Sequence, residues 1–392
     1  MTRTRASLLI LGFAAFLVSA DARVIDPVLK VIASEFHVAD REAAWTVSAY
    51  AFPYGLCQWF YGPFGDKLGK LRIMSVALLL FALGTAGCAF VQNLPSFIVL
   101  RFLTGICAAA IIPLSLSYIG DKIPYENRQV ALARFMMALM LGQIFSSSVG
   151  GILQDLVGWR STFLVFGGGA IIAALALFSE ASRFPEEQKN KPFTFKPMFE
   201  LFTMPAGRIL FASVFVEGMV VFGTLAFLGA AIKTQFMDMK ATQVGLTLGM
   251  YGVGGLVYSS TVRKLVLKFG EGGIAQFGSL MIAAGCVFMS QITIWWMALL
   301  SVFCFGLGYF AMHGSLQTRA TELRPDMRAT AVSMFAFMFF VGQAVGPLLF
   351  GELQFRYSYS TAFIVNAVIV ALLGLFLNVY FRRTKRVVPA PK

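Results

Sequence analysis

Gly62-Pro63-Phe64-Gly65-Asp66-Lys67-Leu68-Gly69-Lys70-Leu71-Arg72 is a short charged island between two long uncharged runs. The runs on either side, 43–65 and 73–100, contain no Asp, Glu, Lys or Arg. A bilayer-crossing helix needs roughly 20 mostly apolar residues. Further stretches of that kind occupy 102–120, 135–154, 161–179, 241–262, 329–351 and 357–381. Two longer runs divide at uncharged turn residues, 73–100 at Gln92-Asn93-Leu94-Pro95 and 272–318 near Gln291-Ile292-Thr293. A first span over about 6–33 carries Asp21, Arg23, Asp26 and Lys30, and another over about 208–232 carries Glu217, which makes twelve spans and predicts an all-α membrane protein.

Composition agrees. Of 392 residues, 58% are hydrophobic and 13% charged, against about 25% charged in soluble domains, so lipid rather than water must solvate most of the chain. The net charge of +13 does not point to nucleic acid, because the basic residues sit in short clusters between apolar runs, as in membrane loops. Cys57, Cys88, Cys107, Cys286 and Cys304 all lie inside apolar runs without metal-type spacing, and read as small core residues.

With the N-terminus inside, Arg3, Arg5, Lys67, Lys70, Arg72, Lys122, Arg128, the 183–208 cluster, Arg263, Lys264, Lys268, Arg319, Arg324, Arg328 and the basic tail all face the cytoplasm. Only Arg41, Arg160, Lys233, Lys240 and Arg356 fall outside, so both termini are predicted to be cytoplasmic, in a bacterial-type inner membrane. Thr2-Arg3-Thr4-Arg5 followed by an apolar run and Val18-Ser19-Ala20 also has the form of a cleavable signal peptide. Cleavage would leave eleven spans and destroy the internal symmetry.

That symmetry is an offset of 200 residues: Glu126, Arg128, Ala131, Gly142, Gln143, Gln154 and Phe163 correspond to Asp326, Arg328, Ala331, Gly342, Gln343, Gln354 and Phe363. Upstream, with one residue of slip, Gly105, Asp121 and Pro124 meet Gly306, Glu322 and Pro325. The predicted organisation is a six-helix bundle over 1–179, a polar cytoplasmic linker over 180–207, and a second bundle with a basic tail over 208–392. Two parallel repeats of six helices suit a transporter, whose halves rock about a site between them.

The Gly62–Arg72 island resembles the loop signature of the major facilitator superfamily, Gly-x-x-x-Asp-Arg/Lys-x-Gly followed by basic residues, with Leu71 departing from it. The resemblance implies a cytoplasmic gate formed by Gly62, Asp66, Lys67, Gly69, Lys70 and Arg72. The corresponding loop of the second half, Arg263 to Gly270, has lost the Asp. Arg101-Phe102-Leu103-Thr104-Gly105-Ile106-Cys107 is similar to the family's Arg-x-x-x-Gly-x-Gly segment, which ties Arg101 to proton transfer. Gly342-x-x-x-Gly346-Pro347-x-x-x-Gly351 resembles the family's antiporter segment. The fifth span has Gly142, Ser146-Ser147 and Gly150-Gly151 instead; Gly142, Gly150, Gly151, Gly342, Gly346 and Pro347 are therefore read as packing or hinge positions.

Asp21 to Ala33 resembles the family's Leu-Asp-x-Thr-x-x-Asn-x-x-x-Pro segment, with Asp26 on the Asn and Lys30 on the Pro. On a continuous helix Arg23, Asp26 and Lys30 share one face and neutralise each other, which leaves Asp21 without a local partner and suited to loading a proton. An ion pair from Asp21 to Arg23 or Arg101 is the alternative. Glu217 is the only acid deep in the second half, a functional position by default; His313 reads as a hydrogen-bonded packing residue. Tyr50, Tyr54, Trp59, Phe215 and Phe222 are candidates to line a cavity.

The reading is a monomeric secondary transporter that uses a proton gradient and no cofactor or metal. It exchanges a small amphipathic solute or drug for protons through Asp21, Asp26, Arg23, Arg101 and Glu217. Its other partner is membrane lipid, with no nucleic acid. An organic-anion importer or exchanger drawing on Arg23, Lys30 and Arg101, a lipid flippase of the same fold, and a non-transporting membrane sensor are the alternatives. No Ser/His/Asp arrangement, nucleotide loop or metal cluster indicates an enzyme.

Overall fold

The computed structural model describes residues 2–123, 125–183, 196–324 and 328–383; the side chains of 2–7, 62, 63, 66, 125–130, 133, 183, 196, 197, 263, 328 and 329 lie outside that description. The described residues form helices and no strand. In the first half these are α1 (Thr2–Asp21), α2 (Leu29–Glu35), α3 (Asp40–Ala43), α4 (Trp45–Leu68), α5 (Lys70–Gly87), α6 (Leu94–Ala108), α7 (Ile111–Lys122), α8 (Tyr125–Val157) and α9 (Trp159–Arg183). A short helix, α10 (Lys196–Thr203), lies in the predicted linker. The second half comprises α11 (Pro205–Gln235), α12 (Ala241–Ser290), α13 (Trp295–Glu322), α14 (Arg328–Arg356) and α15 (Tyr359–Arg383). Nine membrane-length apolar helices are found among the described residues. The broken α1–α2 span, α4 and the first limb of α12 complete the twelve.

Two of the predicted spans are not continuous helices. Residues 22–28 are turns, which corrects the single helix expected over 6–33. Pro27 has no N–H to give the Arg23 carbonyl; the Asp26 N–H takes it instead at 3.2 Å, and the chain advances by tight i→i−3 bonds until α2 begins. The fourth span breaks between α6 and α7 in the same way, because Pro113 lies four residues after Ala109. The predicted loop 263–270 is, by contrast, helical almost throughout. The eighth and ninth spans are joined in α12 at Gly270, whose φ of 66° only glycine adopts easily.

The repeat is realised as packing. In the first half α1 lies on α8, α4 on α6 and α5 on α9; in the second, α11 lies on α14 and the limbs of α12 on α13 and α15. Small residues set these seams. A Cβ on Gly142 would sit 2.3 Å from the Phe16 carbonyl oxygen, and one on Gly342 would sit 2.2 Å from that of Phe215. A Cβ on Gly105 would lie 2.3 Å from the Tyr50 carbonyl oxygen, and one on Gly306 2.0 Å from that of Tyr251. Each pair recurs about 200 residues on, so the two halves bring backbones together at equivalent points. The halves themselves meet along α8–α12 and α4–α14.

Candidate functional site

Ending α1 at Asp21 places that side chain in the interior of the first half, fully buried. Arg101 on α6 reaches it: Nη1 donates to Asp21 Oδ2 at 2.6 Å, Nη2 to the Asp21 carbonyl at 3.3 Å and Nε to the Thr46 carbonyl at 3.4 Å. The guanidinium also lies 4.2 Å over the Tyr50 ring. Among the described residues Asp21 has no partner on its own helix, as expected, and of the two alternative ion pairs it makes the one with Arg101. Its partner comes from another helix, and only Oδ1 remains without a hydrogen bond among the described residues.

The turns at 22–28 put Arg23 and Asp26 at the junction of the halves. Arg23 Nη1 donates to Asp26 Oδ2 at 3.3 Å, and its guanidinium lies 4.0 Å over the ring of Phe222 on α11. Both side chains line a narrow cleft with Gln143 and Ser147 from α8, Leu225 from α11, and Leu248 and Tyr251 from α12. Lys30 does not join them, contrary to the shared-face expectation. It begins beyond the break and donates to Thr234 on α11. At Gly229 the α11 backbone comes so close to the Asp26 carbonyl that a Cβ would lie 2.4 Å from it.

Glu217 on α11 is fully buried, and its Oε2 lies 3.0 Å from His313 Nδ1 on α13. His313 is hydrogen-bonded, as the sequence led us to expect, and its partner is an acid. It pairs with the second half's buried acid, and its ring lies 4.6 Å from Phe339 and 5.2 Å from Tyr309. Aromatic rings link the two acidic centres: Tyr50 to Tyr54 at 5.8 Å, Tyr54 to Phe340 at 4.5 Å, and Phe340 to Phe339 at 5.5 Å. Phe222 joins the same group through Phe339 at 5.1 Å. Trp59 instead packs on Phe337 of α14 at 4.2 Å, and Phe215 contributes its backbone to the Gly342 seam. The sequence did not single out Tyr251, Tyr309, Phe339 or Phe340, which carry no signal apart from being aromatic in a chain with 40 Phe.

Of the signature island, Gly69 adopts a φ of 92° between α4 and α5, Lys70 is buried and pairs with Asp121 at the end of α7, and Lys67 and Arg72 are exposed. The backbone of Asp66 is on α4, but its side chain and those of Gly62 and Pro63 lie outside the described residues. A Cβ added at Gly151 would lie 2.3 Å from the Ala241 carbonyl oxygen and one at Gly346 2.2 Å from that of Met219, whereas one at Gly150 would make only ordinary contacts near Pro27; Pro347 lies inside α14.

At the end of the bundle opposite the N-terminus the halves are tied by polar contacts that no local pattern in the sequence marks. Asp155 on α8 accepts from the backbone N–H groups of Ala241 and Thr242, which open α12, at 3.0 and 2.6 Å. Arg41 donates to Glu352 at 3.0 Å, and Tyr359 to Asp40 at 2.5 Å.

A helical membrane bundle with a twofold repeat and paired charges at the junction of its halves is the architecture of a transporter. The chain belongs to the Major Facilitator Superfamily, whose sequence profile matches residues 11–347. It is 26% identical over 398 residues, 97% of each chain, to the multi-drug resistance efflux pump PmrA of Streptococcus pneumoniae. It is 25% identical to the uncharacterized MFS-type transporter YceJ of Bacillus subtilis over 86% of each chain. Among solved structures, a bacterial homolog of the human lysosomal transporter Spinster, in an inward-facing and unoccupied conformation, superposes with a TM-score of 0.79 over 99% of both chains at 18% identity. The protein is thus a multi-pass integral membrane protein of a transporter family and fold.

Proposed function

We propose that this transporter exports a small amphipathic solute by proton antiport. The observation that carries this reading is a pair of fully buried carboxylates, one in each half, Asp21 beside Arg101 and Glu217 beside His313, each keeping one oxygen without a hydrogen bond among the described residues. Intramembrane acids are costly and usually serve transport. A proton arriving on Glu217, beside His313, or on Asp21, beside Arg101, changes the charge balance across the aromatic link between them. The solute leaves when that balance changes. The division into bundles 1–179 and 208–392 joined by 180–207 supplies the two rocking bodies, Asp66 and its neighbours the cytoplasmic latch, and the gradient the energy, with no cofactor and a single chain sufficing. Both termini are cytoplasmic in this reading, in a bacterial-type inner membrane, so the polar ties at Asp155, Arg41 and Asp40 close the outer face. The similarity to PmrA supports the export direction.

Proton movement tests it in inside-out vesicles energised to an acid interior, with cationic, neutral and anionic solutes added in turn. Cationic or neutral compounds should release protons through the wild type and not through Glu217→Gln or Asp21→Asn. A response to anions alone would favour an organic-anion exchanger, the second reading, which the free Nη2 of Arg23 supports.

A further inference from the structure

Arg101 and Arg23, both buried, are held very differently. Arg101 uses all three of its nitrogens on Asp21 and the Thr46 carbonyl. Arg23, equally buried, makes one hydrogen bond of 3.3 Å to Asp26, long for a charge-assisted contact of about 2.7–2.9 Å. Arg23 Nη2 and Asp26 Oδ1 have no hydrogen-bond partner among the described residues. A buried charged group with an unfilled donor or acceptor costs stability, so such a pair persists where something else completes it. Both residues face the cleft that α8 of one half and α11 and α12 of the other enclose.

We propose that this cleft binds a dipolar solute, an α-amino-acid-like zwitterion with an apolar or aromatic side chain, whose carboxylate meets Arg23 Nη2 and whose ammonium meets Asp26 Oδ1. The cleft as closed here has free space of about 10 Å³, room for about one water, so the solute enters as the halves part, and there it fills both free positions and leaves the site neutral. A singly charged solute fills one position, leaves the other bare and adds an uncompensated charge. Leu225 and Leu248 offer apolar wall, and the Phe222 ring already holds the Arg23 guanidinium in place. The inference rests on reading the cleft as the transported solute's site, and it narrows the class of that solute.

The test is binding to the purified full-length protein, read by thermal stabilisation, of L-phenylalanine, its methyl ester (a cation) and N-acetyl-L-phenylalanine (an anion). The wild type should bind phenylalanine about tenfold more tightly than either single-charge analogue. Asp26→Asn should reverse the preference toward the N-acetyl compound, and Arg23→Gln toward the ester; Arg23→Lys should keep the wild-type order. If Arg23→Gln does not fold, the reversal in Asp26→Asn decides alone. Equal binding of all three ligands by the wild type, or variants that lose all of them alike, overturns the proposal. Proton release in vesicles separates it from the export reading. Lipophilic cations that move protons with no zwitterion preference leave export standing and defeat this inference; switched preferences without proton movement do the reverse.

Discussion

Arg101 and Asp21 form a 2.6 Å ion pair in the interior of the first half, while at the repeat-related positions of the second half stand Val302 and Val220, both fully buried. The correspondence follows from the seams: Gly105 and Gly306 seat against the Tyr50 and Tyr251 carbonyls, and Gly142 and Gly342 against those of Phe16 and Phe215. The same backbone frame therefore encloses a charged pair in one half and two buried apolar side chains in the other. The frame itself does not require the charges, and a buried ion pair is costly to keep where an apolar pair would fit.

The valine pair prescribes a variant. Asp21→Asn alone leaves the Arg101 charge buried without its counterion and should destabilise the protein by about 3–5 kcal/mol. The double change Asp21→Val with Arg101→Met, which copies the apolar character of the second half, should fall within about 1 kcal/mol of the wild type. Thermal unfolding in detergent checks both, and a double variant as unstable as the single one would mean that the pair itself holds the fold. In either case solute-driven proton movement should be lost.

How much of this was legible in the sequence divides along the range of the interaction. The spans, the repeat and the Gly62–Arg72 island were legible because apolar length and glycine spacing are local properties that the bilayer enforces. The break at 22–28 was legible in principle at Pro27, whose missing N–H ends the helix before Lys30 can share a face with Arg23 and Asp26. The pairing of Asp21 with Arg101 was one of two ion pairs the sequence left open, and that of Glu217 with His313 was not legible. Each joins separate helices, and nothing in one span records which face of another it meets.

Glu35, beyond the end of the first span, gives a pH dependence with a defined sign. Partial burial works against its charge, but the indole N–H of Trp159, at 2.5 Å, and the Arg160 guanidinium hold its carboxyl below the ordinary glutamate value of 4.5. A carboxyl depressed in the folded state contributes stability above the unfolded value and loses it as pH falls through the folded one. Thermal stability should therefore decline below about pH 4.5 by about 0.2–1 kcal/mol, the range of a half-exposed pair. The Glu35→Gln protein should lose this component of the decline, and an identical acid profile would remove Glu35 from the account.

The glycine seams predict opposite outcomes for one substitution. A Cβ at Gly306 would lie 2.0 Å from the Tyr251 carbonyl oxygen, which is backbone and cannot rotate aside. Gly306→Ala should cost about 1–3 kcal/mol. Gly168, within α9, has nothing within 4 Å of its added Cβ, so Gly168→Ala should be neutral or stabilising by up to about 1 kcal/mol through helix propensity. Melting temperatures of the two variants side by side make the comparison, and equal shifts would refute the role of the seam.

Asp155 makes the closure of the far end testable apart from the cleft. The first N–H groups of a helix have no partner within it, and those of Ala241 and Thr242 are satisfied by a carboxylate from the other half. Opening that end must break this cap, so the cap stabilises the closed arrangement. Asp155→Ala should weaken closure by about 1 kcal/mol, equivalent to a roughly fivefold change in population. Spin labels at Val157 and Met237, 70% and 78% exposed near the two sides of the contact, should show the longer-distance population growing by that factor. Because Asp155 does not line the cleft, the order of preference among phenylalanine, its ester and its N-acetyl derivative should stay as in the wild type. A changed distance distribution with an unchanged ligand order separates gate from site, whereas an unchanged distribution shows that the cap closes nothing.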